Sequence, residues 1–258
     1  MVAFTASPAP AQDGQADALA NRMIEAAGGM AAWDRMQDVS FKLTVIPHNP
    51  QGEPAAAAVS VYWLKRPYRG RMETLDENGH LVLGFDGEKA WGMRNGKPVT
   101  DATTLKRAQF LPLNWWYWLG IPFKLKDPGV VLAHKGTATL QGRQVERLEA
   151  TFRPGTGATS SDRYLYYVNP QTARVELVEF WLQEGVWPGA GGARHGFWSD
   201  YQKVGDITTH TRRVAYGDRE RRVKASVLLF SAFKVNQGIP DSMVKAPESS
   251  RPSPGSAY

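Results

Sequence analysis

Between Gln15 and Ala27 the apolar positions Leu19, Met23 and Ala26/Ala27 recur every three to four residues, the period of one helix face. Gly28-Gly29 ends that pattern and predicts a left-handed cap, a conformation glycine adopts without steric cost. Met30 to Met36 reads as a second short helix with Trp33 as its apolar anchor. From Val39 onward the period changes to two. Alternating stretches predict strands over 39–46, 59–65, 68–75, 80–85 and 89–93. In the second of these, Val59, Val61 and Trp63 share one face, and Tyr62 and Leu64 the other. The breaks are short and turn-rich: Asp76 to Gly79, Asp86-Gly87, Asn95-Gly96. Tight turns force antiparallel neighbours. Strands resume over 130–140, 144–152, 163–168, 174–183, 196–203, 207–216 and 223–235, with Gln141-Gly142 and Asn169-Pro170 marking two of the turns.

One block interrupts the alternation. Asp101 to Trp118 carries Leu105, Ala108 and Leu111 and predicts a helical insertion, broken or bent at Pro112. Two long loops follow later, over 154–161 and 185–194, and the chain from Ala246 is Pro/Ser-rich and reads as disordered. A sheet of about ten or more strands cannot stay flat. The fold class is therefore mostly β (α+β): a curled antiparallel half-barrel wrapped around the N-terminal and inserted helices, with a two-sheet sandwich as the alternative. The expected organisation is a leader over 1–14, one domain over 15–245 and a tail over 246–258.

Composition narrows the chemistry. There is no cysteine, which excludes disulfides, thiolate metal sites, a cysteine nucleophile and acylation at a cysteine. The net charge is +6, with a local concentration from Arg212 to Lys224. That run reads either as a solvated hairpin or as a contact for anionic headgroups, and no nucleic-acid-binding motif accompanies it. No apolar run reaches the roughly 18 residues a membrane span needs. Met1 to Ala11 is small and apolar, and Ala9-Pro10-Ala11 has the form that precedes a signal-peptidase cut. A soluble, exported, periplasmic protein beginning at Gln12 is expected.

Catalytic constellations are missing from the sequence. The five histidines (48, 80, 134, 195 and 210) form no helical metal pair. There is no Gly-x-Ser-x-Gly elbow, no Ser-x-x-Lys pair and no phosphate loop. His195 beside Asp200 is the one metal or acid/base candidate, and Asp162 is the other carboxylate of interest. No cofactor is implied, and the reading is of a protein that is not an enzyme.

What is present is aromatic surface. Trp supplies 9 of 258 residues, and Trp115, Trp116, Tyr117, Trp118 and Phe123 fall within one short stretch. Consecutive helical residues point about 100° apart, so four adjacent rings cannot share one face. They either fill the gap between helix and sheet or line an apolar cavity. Trp115 and Trp118 share a helical face and are expected to behave alike, Trp116 differently. Taken with aromatics on the strands, the candidate lining is Trp63, Trp91, Trp115, Trp118, Phe123, Tyr166 and Trp181.

Some of these segments are also familiar. Ala27-Gly28-Gly29-Met30-Ala31-Ala32-Trp33 followed by Val39-Ser40-Phe41 resembles the start of LolA/LolB-like periplasmic lipoprotein-sorting domains. Trp118 to Val130, and Asp200 to Ile207 followed by Thr211-Arg212-Arg213, look like signatures of an uncharacterised branch of that superfamily. The likeness runs from about Ala18 to Ser242. It implies an open antiparallel half-barrel with a hydrophobic cavity that shelters an acyl chain. The longer loops and aromatic insertion depart from the compact carriers, so no lipoprotein role is carried over. The expected function is a non-catalytic carrier for an apolar or lipid-like small molecule. The alternative is an envelope interaction module that docks a protein partner or membrane surface.

Overall fold

The structure, a computed structural model, describes residues 13–156, 161–181 and 193–247. Residues 1–12 of the leader, residues 157–160 and 182–192, which include parts of both long loops, and the tail from Glu248 lie outside the described residues. Helix α1 (Gly14–Ala26) starts at Asp13, whose carboxylate accepts from the N–H groups of Gln15 and Ala16. Its other oxygen accepts from the His134 N–H at 2.8 Å, which pins the helix start to the sheet. At the far end the Gly28 N–H reaches the Glu25 carbonyl (3.0 Å) and the Gly29 N–H the Ile24 carbonyl (2.9 Å). These are the two bonds of a Schellman cap. Both glycines have positive φ, 113° and 83°, as the sequence predicts. Helix α2 (Met30–Arg35) follows at once.

The strands are β1 (Asp38–Pro47), β2 (Ala58–Lys65), β3 (Arg69–Asp76), β4 (Gly79–Phe85), β5 (Ala90–Arg94), the short β6 (Lys97–Pro98), β7 (Val130–Leu140), β8 (Arg143–Phe152), β9 (Arg163–Val168), β10 (Val175–Trp181), β11 (Arg194–Val204), β12 (Ile207–Tyr216) and β13 (Lys224–Val235). Among the described residues they form one 13-stranded sheet in the order β6-β5-β4-β3-β2-β1-β13-β12-β11-β10-β9-β8-β7. Every pairing is antiparallel. The last strand, β13, sits mid-sheet beside the first. Asp38 seals that junction: its buried carboxylate accepts from the N–H groups of Gln237, Gly238 and Ile239 at 2.8, 2.9 and 3.2 Å.

Helix α3 (Ala102–Leu119) is the predicted insertion, capped by the Asp101 side chain on the Thr104 N–H. It is one continuous helix through Pro112, so of the expected break or bend there the break does not occur. Proline removes one helical hydrogen bond, but Pro112 is buried against β3 at Gly70, where any Cβ would lie 2.8 Å from the proline Cβ. Close packing compensates for the lost bond. The open sheet curls around α1, α2 and α3, and one apolar cluster joins all three helices to both halves of the sheet. A 3-10 turn over Phe123–Lys126 leads from α3 into β7.

The outer face also carries apolar clusters. Val82, Trp91 and Met93 lie under the C-terminal segment, which contains the short helix α4 (Asp241–Val244). Leu140, Val145, Tyr167, Leu177 and Phe197 form a second outer cluster on β7–β11.

Candidate functional site: the aromatic interior around α3

Because the sheet wraps α3, the four adjacent rings of Trp115–Trp118 each meet a different part of one enclosure. Trp115 packs edge-on against Tyr62 and Phe230, at 5.8 and 5.4 Å between ring centres. Trp116 meets Trp33 of α2 at 5.6 Å. The Tyr117 hydroxyl is hydrogen-bonded to that of Tyr166 at 2.9 Å. Trp118 packs on Tyr164, Phe180 and Trp198, and its indole N–H donates to the Asn114 side chain. Phe123 stacks on Trp33. Of the seven predicted lining residues, Trp115, Trp118, Phe123 and Tyr166 therefore meet in one interior.

The other three do not reach it. Trp63 lies between the inward-facing Tyr62 and Leu64 and points to the outer face. Trp91 lies over Gly84, where a Cβ would come within 2.2 Å of the ring, and donates its N–H to the Val244 carbonyl at 2.8 Å. It anchors the C-terminal segment to the outside of the sheet. Trp181, next to the inward Phe180, has the guanidinium of its cross-strand partner Arg163 3.8 Å from its ring centre. Strand alternation divides the seven residues between two faces.

At the centre of the interior stands a residue the lining prediction omitted. Arg213 of β12 is 8% exposed and surrounded by aromatic rings: Trp118 and Trp198 at 4.6 Å, Phe230 at 5.4 Å and Trp115 at 5.8 Å from its guanidinium carbon. Its Nε–H donates to His210 Nε2 at 2.6 Å. Arginine can only donate, so that imidazole nitrogen accepts and the proton sits on Nδ1. Burial, reinforced by the neighbouring Arg213 charge, holds His210 well below the ordinary histidine range of 6.5, so the ring is neutral. Burial pushes Arg213 down to about 9, which leaves it cationic at neutral pH.

His210 and Arg213 are three apart, and a regular strand would place them on opposite faces. The pleat slips at Thr211. Its hydroxyl donates to the carbonyl of Asp200, which sits across the ladder at φ +55°. Both side chains turn inward, where His210 stacks on Trp198 at 3.8 Å.

The other chemical candidates separate. His195 lies 3.5 Å from Glu179, a carboxylate that also pairs with Arg219, and so turns to the outer face rather than to Asp200. Asp162 accepts from the Tyr164 hydroxyl at 3.3 Å. Among the described residues no group of three or more His, Asp or Glu is placed to hold a metal ion, and no helix is long and apolar enough to cross a membrane.

The rings of the interior pack closely on one another. A void of about 20 Å³ lies near its edge, where Met23 and Ala26 of α1, the following Ala27 and Ile121-Pro122 meet Trp198, Tyr201 and Thr208. That is room for about one water molecule.

Comparison with known proteins gives the fold its context. The model of DUF6503, a family of unknown function, matches residues 100–194. No curated protein matches the chain. Among solved structures, a DUF1329 family protein from Desulfovibrio piger has a TM-score of 0.55 at 13% identity, over 90% of this chain and 96% of that one. A LolA superfamily protein from Nitrosomonas europaea also gives 0.55, at 14% identity over 88% and 97% of the two chains. An outer membrane lipoprotein-sorting protein domain from Vibrio parahaemolyticus gives 0.51, at 11% identity over 87% and 94%. At these identities the likeness is one of fold.

Proposed function

Starting from this LolA-superfamily fold, we propose that the chain is a non-catalytic envelope carrier that holds an apolar or lipid-like ligand in the concave side of its half-barrel. One observation carries the reading. The interior of an open sheet is lined by aromatic side chains from both halves and from a single central helix, α3. Ligand pockets favour such walls, since rings offer large apolar area with few rotatable bonds. The closely packed interior is the closed state. A ligand enters where α1 and the Ile121-Pro122 turn meet β11 and β12, at the residual void, by parting the helix from the strands. The periplasm is the expected location, since a carrier of this kind serves lipid that cannot cross water unaided.

The test is native mass spectrometry of protein purified from its host without detergent, together with titration by the neutral fluorophore N-phenyl-1-naphthylamine. Co-purified lipid mass and saturable fluorophore binding are expected. A protein of bare mass that leaves the fluorophore dark would refute the carrier.

A second reading rests on the outer face. Leu140, Phe197, Val214 and Tyr216 line an open pocket of about 300 Å³ together with Arg212, Arg221 and the ion pair Arg143–Glu176. This basic lining suits docking on an anionic membrane surface. Sedimentation with anionic against zwitterionic vesicles distinguishes that role from the first.

A further inference from the structure

The interior holds a charge that no carboxylate among the described residues neutralises. Among the described residues no carboxylate pairs with Arg213, and its Nη2 is buried with no hydrogen-bond partner. Removing a charge from water costs several kcal/mol, and burial is ordinarily compensated by an ion pair with full hydrogen bonding. The surrounding rings return part of that through cation–π attraction, and His210 satisfies only the Nε–H. Replacing a buried charge by an apolar residue of similar volume is often neutral or stabilising.

The nearest polar neighbours do not resolve the imbalance. The Tyr201 hydroxyl donates to the Val175 carbonyl at 2.8 Å, and the Tyr166 hydroxyl is engaged with Tyr117. Burial raises both phenols, so both stay neutral. The imbalance also has a direction. Trp198 borders Arg213 on one side and lines the edge void on the other. Tyr201 lines the same void, and Arg174 lies over its ring at 5.2 Å, at the opening. The void thus lies between one cation, Arg174, and the Trp198 ring that covers another, Arg213.

We infer that Arg213 is the internal counter-charge of the ligand compartment, and that the ligand is an anionic amphiphile whose carboxylate takes the free Nη2 edge while its acyl chain lies among the rings of α3. This rests on the concave interior being the ligand compartment. A carboxylate fits better than a phosphate. This holds against a phosphate monoester: one guanidinium edge matches one negative charge, and a doubly charged head would leave part of its charge desolvated and unanswered.

The experiment uses the full chain at neutral pH with two probes of identical polyene chain, cis-parinaric acid and its methyl ester. Wild type is expected to bind the acid at least about tenfold more tightly, the scale of one charge-assisted hydrogen bond. Arg213→Met should melt at higher temperature and lose the preference for the acid over the ester. Arg213→Lys, which keeps the charge, should retain much of it. Equal binding of acid and ester by wild type overturns the inference even if neither variant folds, and so does an acid preference that survives in Arg213→Met. Either of those outcomes, with the ester still bound, leaves the carrier standing. Failure of both probes to bind wild type removes the carrier and the inference together.

Discussion

Single residues in this protein carry two kinds of work that point mutations can separate. Trp115, Trp116 and Trp118 are all buried in one cluster, so truncating any of them to Ala should cost about 3–5 kcal/mol. Their neighbours differ. Trp115 and Trp118 flank Arg213, whereas Trp116 packs on Trp33 beneath the Arg66 guanidinium. Thermal melting with parinaric acid titration should therefore show a common loss of stability, but altered acid binding only for the first two. Equal binding defects in all three would mean that the rings act only as packing. His210 gives a pH signature. Its folded pKa lies below that of the unfolded chain, so the unfolded state takes up a proton first as the pH falls. Above about 6.5 neither state holds the extra proton and the group is neutral in its effect. Below that, stability falls by up to about 1.4 kcal/mol per pH unit until the folded pKa is reached. Denaturant melts between pH 7 and 5 should show this slope, and His210→Gln should flatten it.

At the scale of elements, glycines set how closely helices and strands approach. A Cβ on Gly28 would lie 2.5 Å from the Asp206 carbonyl oxygen, and the residue's φ is +113°. Replacement by Val meets both obstacles, so Gly28→Val should destabilise by about 1 kcal/mol or more. Gly29 shares the positive φ, but the nearest atom to its Cβ position is 3.8 Å away, so Gly29→Val meets only the backbone strain. A melting comparison of the two should find the first more damaging; the reverse order would refute the role of the Asp206 contact. The same cap places the Ala27 carbonyl to accept from the Thr208 N–H at 2.8 Å, which ties the end of α1 to β12 at the edge of the residual void.

For the whole molecule, the decisive contact joins the chain's distant ends. β13 lies between β1 and β12, with Asp38 fastening the backbone that follows it. A chain ending at Val223 lacks the strand that connects the two halves of the sheet. It should show no cooperative thermal transition, whereas a chain ending at Pro247 should melt as the full chain does. Circular dichroism of both decides the point, and a cooperative transition in the shorter chain would show that the halves fold independently.

The elements and their class were legible in the pattern of the chain. Periodicity and turn chemistry are local, so the strands of the meander, the capped N-terminal helix and the insertion over Asp101 to Trp118 could be read directly. Crowding four rings into consecutive helical positions likewise required more than one packing surface. Which side of each strand faces inward depends on long-range packing. Both faces of this sheet carry apolar clusters, so hydrophobicity could not distinguish the concave side, and Trp63, Trp91 and Trp181 point outward. Nor could it reveal Arg213. A cation in a basic run reads as solvated, and strand alternation separates it from His210. The slip of the pleat at Thr211, opposite Asp200, turns both residues inward, and it arises from a contact between strands rather than from any local pattern.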